Sequence, residues 1–288
     1  GQSADAILGQ ELIPGAVQGG PVGGWLSSKG AAARAPYALR LSLGVGRGDD
    51  TGVSVAGISG ALALEGSNAV VGGYLGLANE DGDLAGLDVD GTLAATGLWL
   101  RGNPGGAGLT WKIGAAYMGG DATILRDASL ASTEAGFGDS RLSATSLQAE
   151  IGYGMDRGAM RITPFAGLRH TKVSRDGYTE TNAVSFPLTY DDYEQSWTVA
   201  RFGVHADMAA GARGQLRLSA GLETDLSRST DPVTGTSALP GMTTFAVPGA
   251  AVSHDTRGFV QGQYVHGLGN GSAIDVSLGV AQSAYGGS

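Results

Sequence analysis

The chain has no cysteine. That excludes a disulfide framework, a thiolate metal site and a cysteine nucleophile. It is also short of basic residues. Its 18 Lys and Arg stand against 27 Asp and Glu, for a formal net charge of −9. Nucleic-acid binding needs clustered Lys and Arg to neutralise phosphates, so no nucleic-acid partner is expected. No stretch reaches the roughly eighteen consecutive apolar residues that read as a transmembrane helix. That does not exclude a membrane, because transmembrane strands alternate and hydropathy averaging hides them. The mean hydropathy of +0.03 is what such averaging yields. The chain opens on Gly1 without methionine or signal peptide and reads as a fragment or a processed domain.

Glycine is what the sequence has in excess, at 51 of 288 residues, where an average protein has about 7%. There is no collagen-type triplet, and 42% of residues are apolar, so the chain is neither fibrous nor disordered. Glycine inside strands marks bends or close packing. Spread through an all-β chain it suits a strongly curved sheet. The length alone fits either two soluble domains or one large barrel.

Nearly every ordered-looking segment alternates with a period of two. In 109–117, Leu109, Trp111, Ile113, Ala115 and Tyr117 share one face, and Thr110, Lys112, Gly114 and Ala116 the other. In 146–155, Leu147, Ala149, Ile151, Tyr153 and Met155 oppose Ser146, Gln148, Glu150, Gly152 and Gly154. The same holds in 37–47, 215–226 and 273–280. A soluble sandwich also alternates, but two features separate the cases. Several apolar faces continue for nine or more residues, and a tilted membrane strand needs about 9 to 11, against about 5 to 6 in soluble sheets. The connections also alternate in length. Eleven strands are expected, at 37–47, 53–65, 69–78, 87–101, 108–119, 142–155, 159–174, 197–209, 214–227, 256–266 and 272–282. Long loops at 79–86, 120–141, 175–196 and 228–255 alternate with short turns such as Gly66-Ser67-Asn68 and Asp156-Arg157-Gly158. Short turns on one side and long loops on the other are the layout of outer-membrane barrels.

The polar face carries both signs. Arg40, Asp90, Lys112, Gln148, Glu150, Arg161, Arg169, Arg201, Asp207, Arg217, Glu223 and Asp275 are the residues expected to line a pore. In a dry sandwich core so many charges would be prohibitive, whereas a wet or helix-plugged lumen tolerates them. Tyr37, Trp99, Trp111, Tyr117, Tyr153, Trp197 and Tyr264 fall near expected strand ends, where interfacial aromatic girdles sit, although strands are enriched in aromatics anyway.

The stretch 146–180 carries a family resemblance. It contains Glu150-Ile151-Gly152-Tyr153, then Thr163-Pro164-Phe165-Ala166-Gly167-Leu168, then Gly177-Tyr178-Thr179-Glu180. Ala200-Arg201-Phe202-Gly203-Val204 follows, and Gly97-Leu98-Trp99, Trp111 and Ala115-Ala116-Tyr117 precede. In order and spacing these resemble the translocator domain of autotransporters, the type V secretion β-barrel, over about residues 37 to 282. The resemblance implies an all-β, antiparallel, twelve-stranded monomeric barrel in the outer membrane of a Gram-negative bacterium. Such a barrel contacts outer-membrane lipid, is inserted by the barrel-assembly machinery, and carries its own N-terminal passenger to the surface with the linker threading the pore as a helix. On that reading 1–36 is the passenger end and linker, and 37–288 is a barrel lacking its twelfth strand, since the chain stops at Ala284-Tyr285-Gly286-Gly287-Ser288. Ser3 is placed to cap a short helix through Leu12, ended by Pro14, and Ser27 to Ala35 forms a second candidate, weakened by Gly30. Either would plug the pore; the other reading is a loose linker.

Other motifs carry no expected chemistry. Gly138-Asp139-Ser140 resembles the start of a lipase family but lies in an expected surface loop without a downstream Asp-x-x-His. Arg47-Gly48-Asp49 is an integrin-type tripeptide that turn chemistry also explains. His170, His205, His254 and His266 lack ligand spacing, so no metal site and no cofactor is expected. Gly267-Leu268-Gly269-Asn270-Gly271 lacks the Lys-Ser/Thr and helix of a phosphate cradle. Acidic residues such as Asp81, Asp83, Asp191, Asp192 and Glu194 read as solvated surface. The expected function is export of a passenger, not catalysis. The rival readings are a stand-alone outer-membrane channel or adhesin, a soluble all-β binding domain, and a surface enzyme whose site lies upstream.

Overall fold

The computed structural model describes residues 37–47, 51–64, 67–84, 87–103, 107–126, 135–181, 184–211, 214–238, 240–241, 243–248, 256–267 and 273–281. The helices expected in 3–12 and 27–35, the twelfth strand, Gly48 and Asp49, and His254 lie outside the described residues.

Fifteen strands are present among the described residues: β1 (Tyr37–Arg47), β2 (Thr51–Ala63), β3 (Ala69–Leu84), β4 (Leu87–Gly102), β5 (Gly108–Arg126), β6 (Gly136–Arg157), β7 (Met160–Arg175), β8 (Tyr178–Thr179), β9 (Leu188–Tyr190), β10 (Tyr193–Ala210), β11 (Gly214–Thr230), β12 (Val233–Ser237), β13 (Thr244–Val247), β14 (Thr256–Gly267) and β15 (Ala273–Ala281). Eleven of them form one antiparallel sheet in the order β1-β2-β3-β4-β5-β6-β7-β10-β11-β14-β15. Each of the eleven expected strands is one of these. The sheet curls tightly. Phe165 on β7 and Phe259 on β14 are three strands apart, yet their ring centroids are 6.5 Å from each other.

The burial pattern is that of an inside-out protein. On β5, Leu109, Trp111, Ile113 and Tyr117 are exposed, while Lys112, Ala116 and Met118, of the opposite parity, are buried. The pattern recurs on the neighbours, with Leu98 on β4, Leu147 and Ile151 on β6, Leu168 on β7, Phe202 on β10, Leu222 on β11 and Leu278 on β15 all turned outward. So continuous an apolar exterior is untenable in water and is what a hydrocarbon surround selects. Outward Trp111, Tyr153 and Tyr264 lie toward the short turns, and Tyr117 toward the opposite rim. Trp99 and Trp197 belong to the buried inner cluster instead.

Glycine supports the curl by close packing. Gly72 lies under the Trp99 ring, Gly97 under Tyr74, Gly203 under Phe165 and Gly221 under Phe259, each directly opposite its aromatic in the register. A Cβ at any of them would collide with the ring. At the short-turn end, Asn103 adopts φ 50°. Its side-chain Nδ2 donates to the Ala107 and Leu109 carbonyls, and its side-chain Oδ1 accepts from Asn68 Nδ2 at 2.8 Å.

The long loops are not loops throughout. β3 and β4 continue through 79–86 until Leu84 pairs with Leu87, and β5 and β6 consume most of 120–141. Within 175–196 and 228–255 a second, four-stranded sheet forms in the order β13-β12-β9-β8. Its core is Tyr178 and Tyr190 with Leu188, Val233 and Phe245, packed on Ile124 of β5. The physical reason is that above the lipid an outward face need not be apolar. Thr92, Asp121, Asp139 and Arg141 are exposed outward residues of paired strands, so pairing persists after the apolar alternation has ended.

Candidate functional site on the inward face

The inward face is built by strand parity. Lys112 on β5 sits opposite Glu150 on β6, and Nζ donates to Oε2 at 3.2 Å. Glu150 Oε1 is 3.4 Å from His205 Nε2 of β10, whose ring stacks on Phe165 at 4.2 Å. Along the same row, Glu223 on β11 holds Arg201 at 2.7 Å and Arg169 at 3.0 Å. Two residues further, Asp225 holds Arg228 and Arg257, both at 2.8 Å. Toward the short turns, Asp207 pairs with Arg217 and Asp156 with Arg161. Arg201 lies over the Phe259 ring, and Arg228 over that of Trp197. Among the described residues, buried Trp99 Nε1 and Gln148 Nε2 have no hydrogen-bond partner.

Of the residues singled out from sequence, Lys112, Gln148, Glu150, Arg161, Arg169, Arg201, Asp207, Arg217 and Glu223 thus lie on this one face. Asp90 does not. It is exposed on the face that Thr92, Ala94 and Leu98 share, opposite to Trp99. The backbones of Arg40 and Asp275 pair with Ser59 and Val265, and their side chains lie outside the described residues. Arg101, Arg228 and Arg257 were not singled out; alternation puts Asp225 on the polar face of 215–226 without naming it as pore-lining, and His205 was weighed only as a metal ligand. Parity with Trp99 would have found Arg101. Arg228 follows a register shift opposite Thr198 and Val199, which breaks simple parity.

The decoys are absorbed locally. Ser140 Oγ donates to the Asp176 carbonyl at 2.6 Å, and Asp139 accepts from Thr123 at 2.9 Å. His170 is on the outward face and bonds Thr198. Among the described residues no group of three or more His, Asp or Glu side chains is placed to hold a metal ion.

An apolar exterior, an ion-paired interior and short turns on a single rim define a transmembrane β-barrel of the outer membrane. A family model, the autotransporter β-domain, matches residues 20–278, and the chain belongs to that family. Among solved structures, the chain is similar to the translocator domain of the autotransporter NalP from Neisseria meningitidis. The two are 17% identical with a TM-score of 0.64, over 82% of this chain and 76% of that one. A second similar structure is the β domain of the Bordetella autotransporter BrkA, 15% identical over 85% of this chain and 96% of that one, with a TM-score of 0.47. No curated protein matches the chain. The family acts in export through the outer membrane and is not a catalytic one.

Proposed function

We propose that residues 37–288 form the membrane-inserted translocator, that 1–36 are the passenger end and linker, and that the passenger crosses to the cell surface through the lumen. The inward ion-paired face is the surface the linker contacts. The chain works as a monomer placed by the barrel-assembly machinery. Its task is transport, and no residue is assigned to catalysis. The observation that carries this reading is the segregation of Leu98, Ile113, Leu222 and Leu278 outward from Lys112, Glu150, Arg201 and Glu223 inward. That segregation makes a sleeve with a polar bore inside a chain of the autotransporter family.

The test is display. An epitope placed ahead of Gly1, behind a signal peptide, is expected to become accessible to antibody and protease on intact cells. An epitope that stays internal, while the barrel runs as a heat-modifiable band in the outer-membrane fraction, overturns the proposal.

A further inference from the structure

Three hydrogen-bonding groups on one part of the inward wall are buried and have no partner among the described residues: Tyr74 OH, Trp99 Nε1 and Gln148 Nε2. Tyr74 packs against the inner cluster that holds Trp99. Gln148 is two strands from Trp99 in an unbroken register row, and Gly114 puts no side chain between them. An indole N–H and an amide NH2 can only donate, and a buried donor left without an acceptor is costly. The three groups are spread over β3 to β6, so one small acceptor cannot fill them. What fits is a polypeptide that offers carbonyls along its length.

Residues 13–24, Ile13-Pro14-Gly15-Ala16-Val17-Gln18-Gly19-Gly20-Pro21-Val22-Gly23-Gly24, lie outside the described residues and have that chemistry. The segment carries no charge. Its two prolines lack N–H groups, so its carbonyls outnumber its own donors. Proline and glycine also disfavour a helix, which would use the carbonyls internally. Its five glycines let the backbone approach a wall closely. Reach is sufficient. Ala38 of β1, Ala61, Gly72 and Trp99 form one register row, so Ala38 and Trp99 are about 14 Å apart at ~4.8 Å per strand. The twelve residues 25–36 cover ~18 Å even as a helix.

We infer that residues 13–24 dock in a non-helical conformation on this wall, their carbonyls accepting from Tyr74, Trp99 and Gln148, and that this contact seats the linker in the bore. The inference rests on the reading of 1–36 as passenger end and linker, and says which part of it the wall holds and by what chemistry. Aromatic-lined grooves recognise extended proline-containing segments in the same manner.

The chain has no cysteine, so an engineered pair is unambiguous. Ser146 is the probe position, since it lies in the register row of Tyr74 and two residues from Gln148. S146C is combined in turn with A16C, V17C or Q18C, with A6C in 3–12, and with A33C in 27–35. The full chain is refolded in detergent, and the heat-modifiable form is oxidised. Intramolecular cross-links are expected from the 13–24 positions and not from A6C or A33C. Cross-links from A6C or A33C instead, a dimer-sized product, or no cross-link at all overturns the inference. Adding Y74F/Q148L to S146C/V17C removes two donors, and cross-linking should slow about thirtyfold. An unchanged rate overturns docking through these groups.

Where a cysteine pair blocks folding, the cysteine-free parent answers. Its Trp99 indole proton, identified in the NMR spectrum by its loss in W99F, should exchange about fivefold faster once 13–24 are deleted, the weight of one hydrogen bond. Equal exchange overturns the inference. None of these readouts needs export. Failed display with the cross-links intact sinks the translocator reading alone, and display without a cross-link from 13–24 sinks this inference alone.

Discussion

Arg126 at the end of β5 and Glu180 just past β8 meet in a two-pronged ion pair, with Nε on Oε1 at 2.8 Å and Nη2 on Oε2 at 2.9 Å. Glu180 is 2% exposed and also accepts the Leu188 amide at 3.0 Å. This contact ties the small surface sheet to the rim of the large one. Glu180→Gln leaves a guanidinium without its counter-charge, which costs about 3–5 kcal/mol for a buried pair. The expected result is selective loosening of β8 and β9. Limited proteolysis should cleave within 175–196 much faster than in the parent, while the barrel band on an unboiled gel is unchanged. Equal cleavage rates would show that the pair does not anchor the sheet.

The tyrosines of that sheet make a pH prediction. Burial, followed by the neighbouring Tyr190, pushes the Tyr178 phenol above its usual value of 10. Burial likewise raises Tyr190. The raised folded value favours the neutral ring. The stabilisation is therefore complete below pH 10 and declines as pH rises through the folded values. In an alkaline titration followed by phenolate absorbance, Tyr178 and Tyr190 should be among the tyrosines that ionise late. The amplitude of the late phase should fall by two phenolates in Y178F/Y190F. An unchanged amplitude assigns the late phase to other residues.

Gly203 tests the packing that lets the sheet curl. A Cβ there would collide with the Ala220 carbonyl oxygen and come within 2.8 Å of the Phe165 ring. Overpacking of this kind costs about 1–3 kcal/mol, so Gly203→Ala should lower the temperature at which the folded gel band converts. Gly258, where a Cβ meets nothing within 4 Å, is the matched control and should tolerate alanine.

The outward face separates depth from exposure. Ile113 is 49% exposed at the middle of the β5 apolar stripe. Asp121, on the same face of the same strand, lies beyond it. Arginine at a bilayer midplane costs about 2–4 kcal/mol and about 0–1 near the interface. Ile113→Arg should therefore deplete folded barrel from the membrane fraction, and Asp121→Arg should not. Equal effects would mean that the apolar band is not set where these residues place it.

The strands were legible because lipid imposes on Leu109 to Tyr117, and on Leu147 to Met155, an alternation that nothing else in the sequence interrupts. Lys112 and Glu150 were legible for the same reason, since parity alone puts them on the polar face. Asp90 marks where that logic stops. Above the bilayer both faces of β4 are wet, so polarity no longer tells inside from outside, and only register does. The surface sheet was not legible. Its strands have two to five residues and are held by Tyr178, Tyr190 and Phe245, brought together from two separate connections. Arg228 was hidden by the register shift opposite Thr198 and Val199.

The length of β6 has a mechanical consequence. Its apolar outward stripe, Leu147 to Met155, spans the hydrocarbon, but the strand begins at Gly136. At about 3.3 Å per residue and a tilt near 40°, the remainder stands roughly 25–30 Å above the lipid. The mouth of the bore is therefore a chimney on this side, braced by the small sheet. A polypeptide leaving it is released into open solvent, clear of the headgroups, where its first apolar segments can find one another before they can find the membrane.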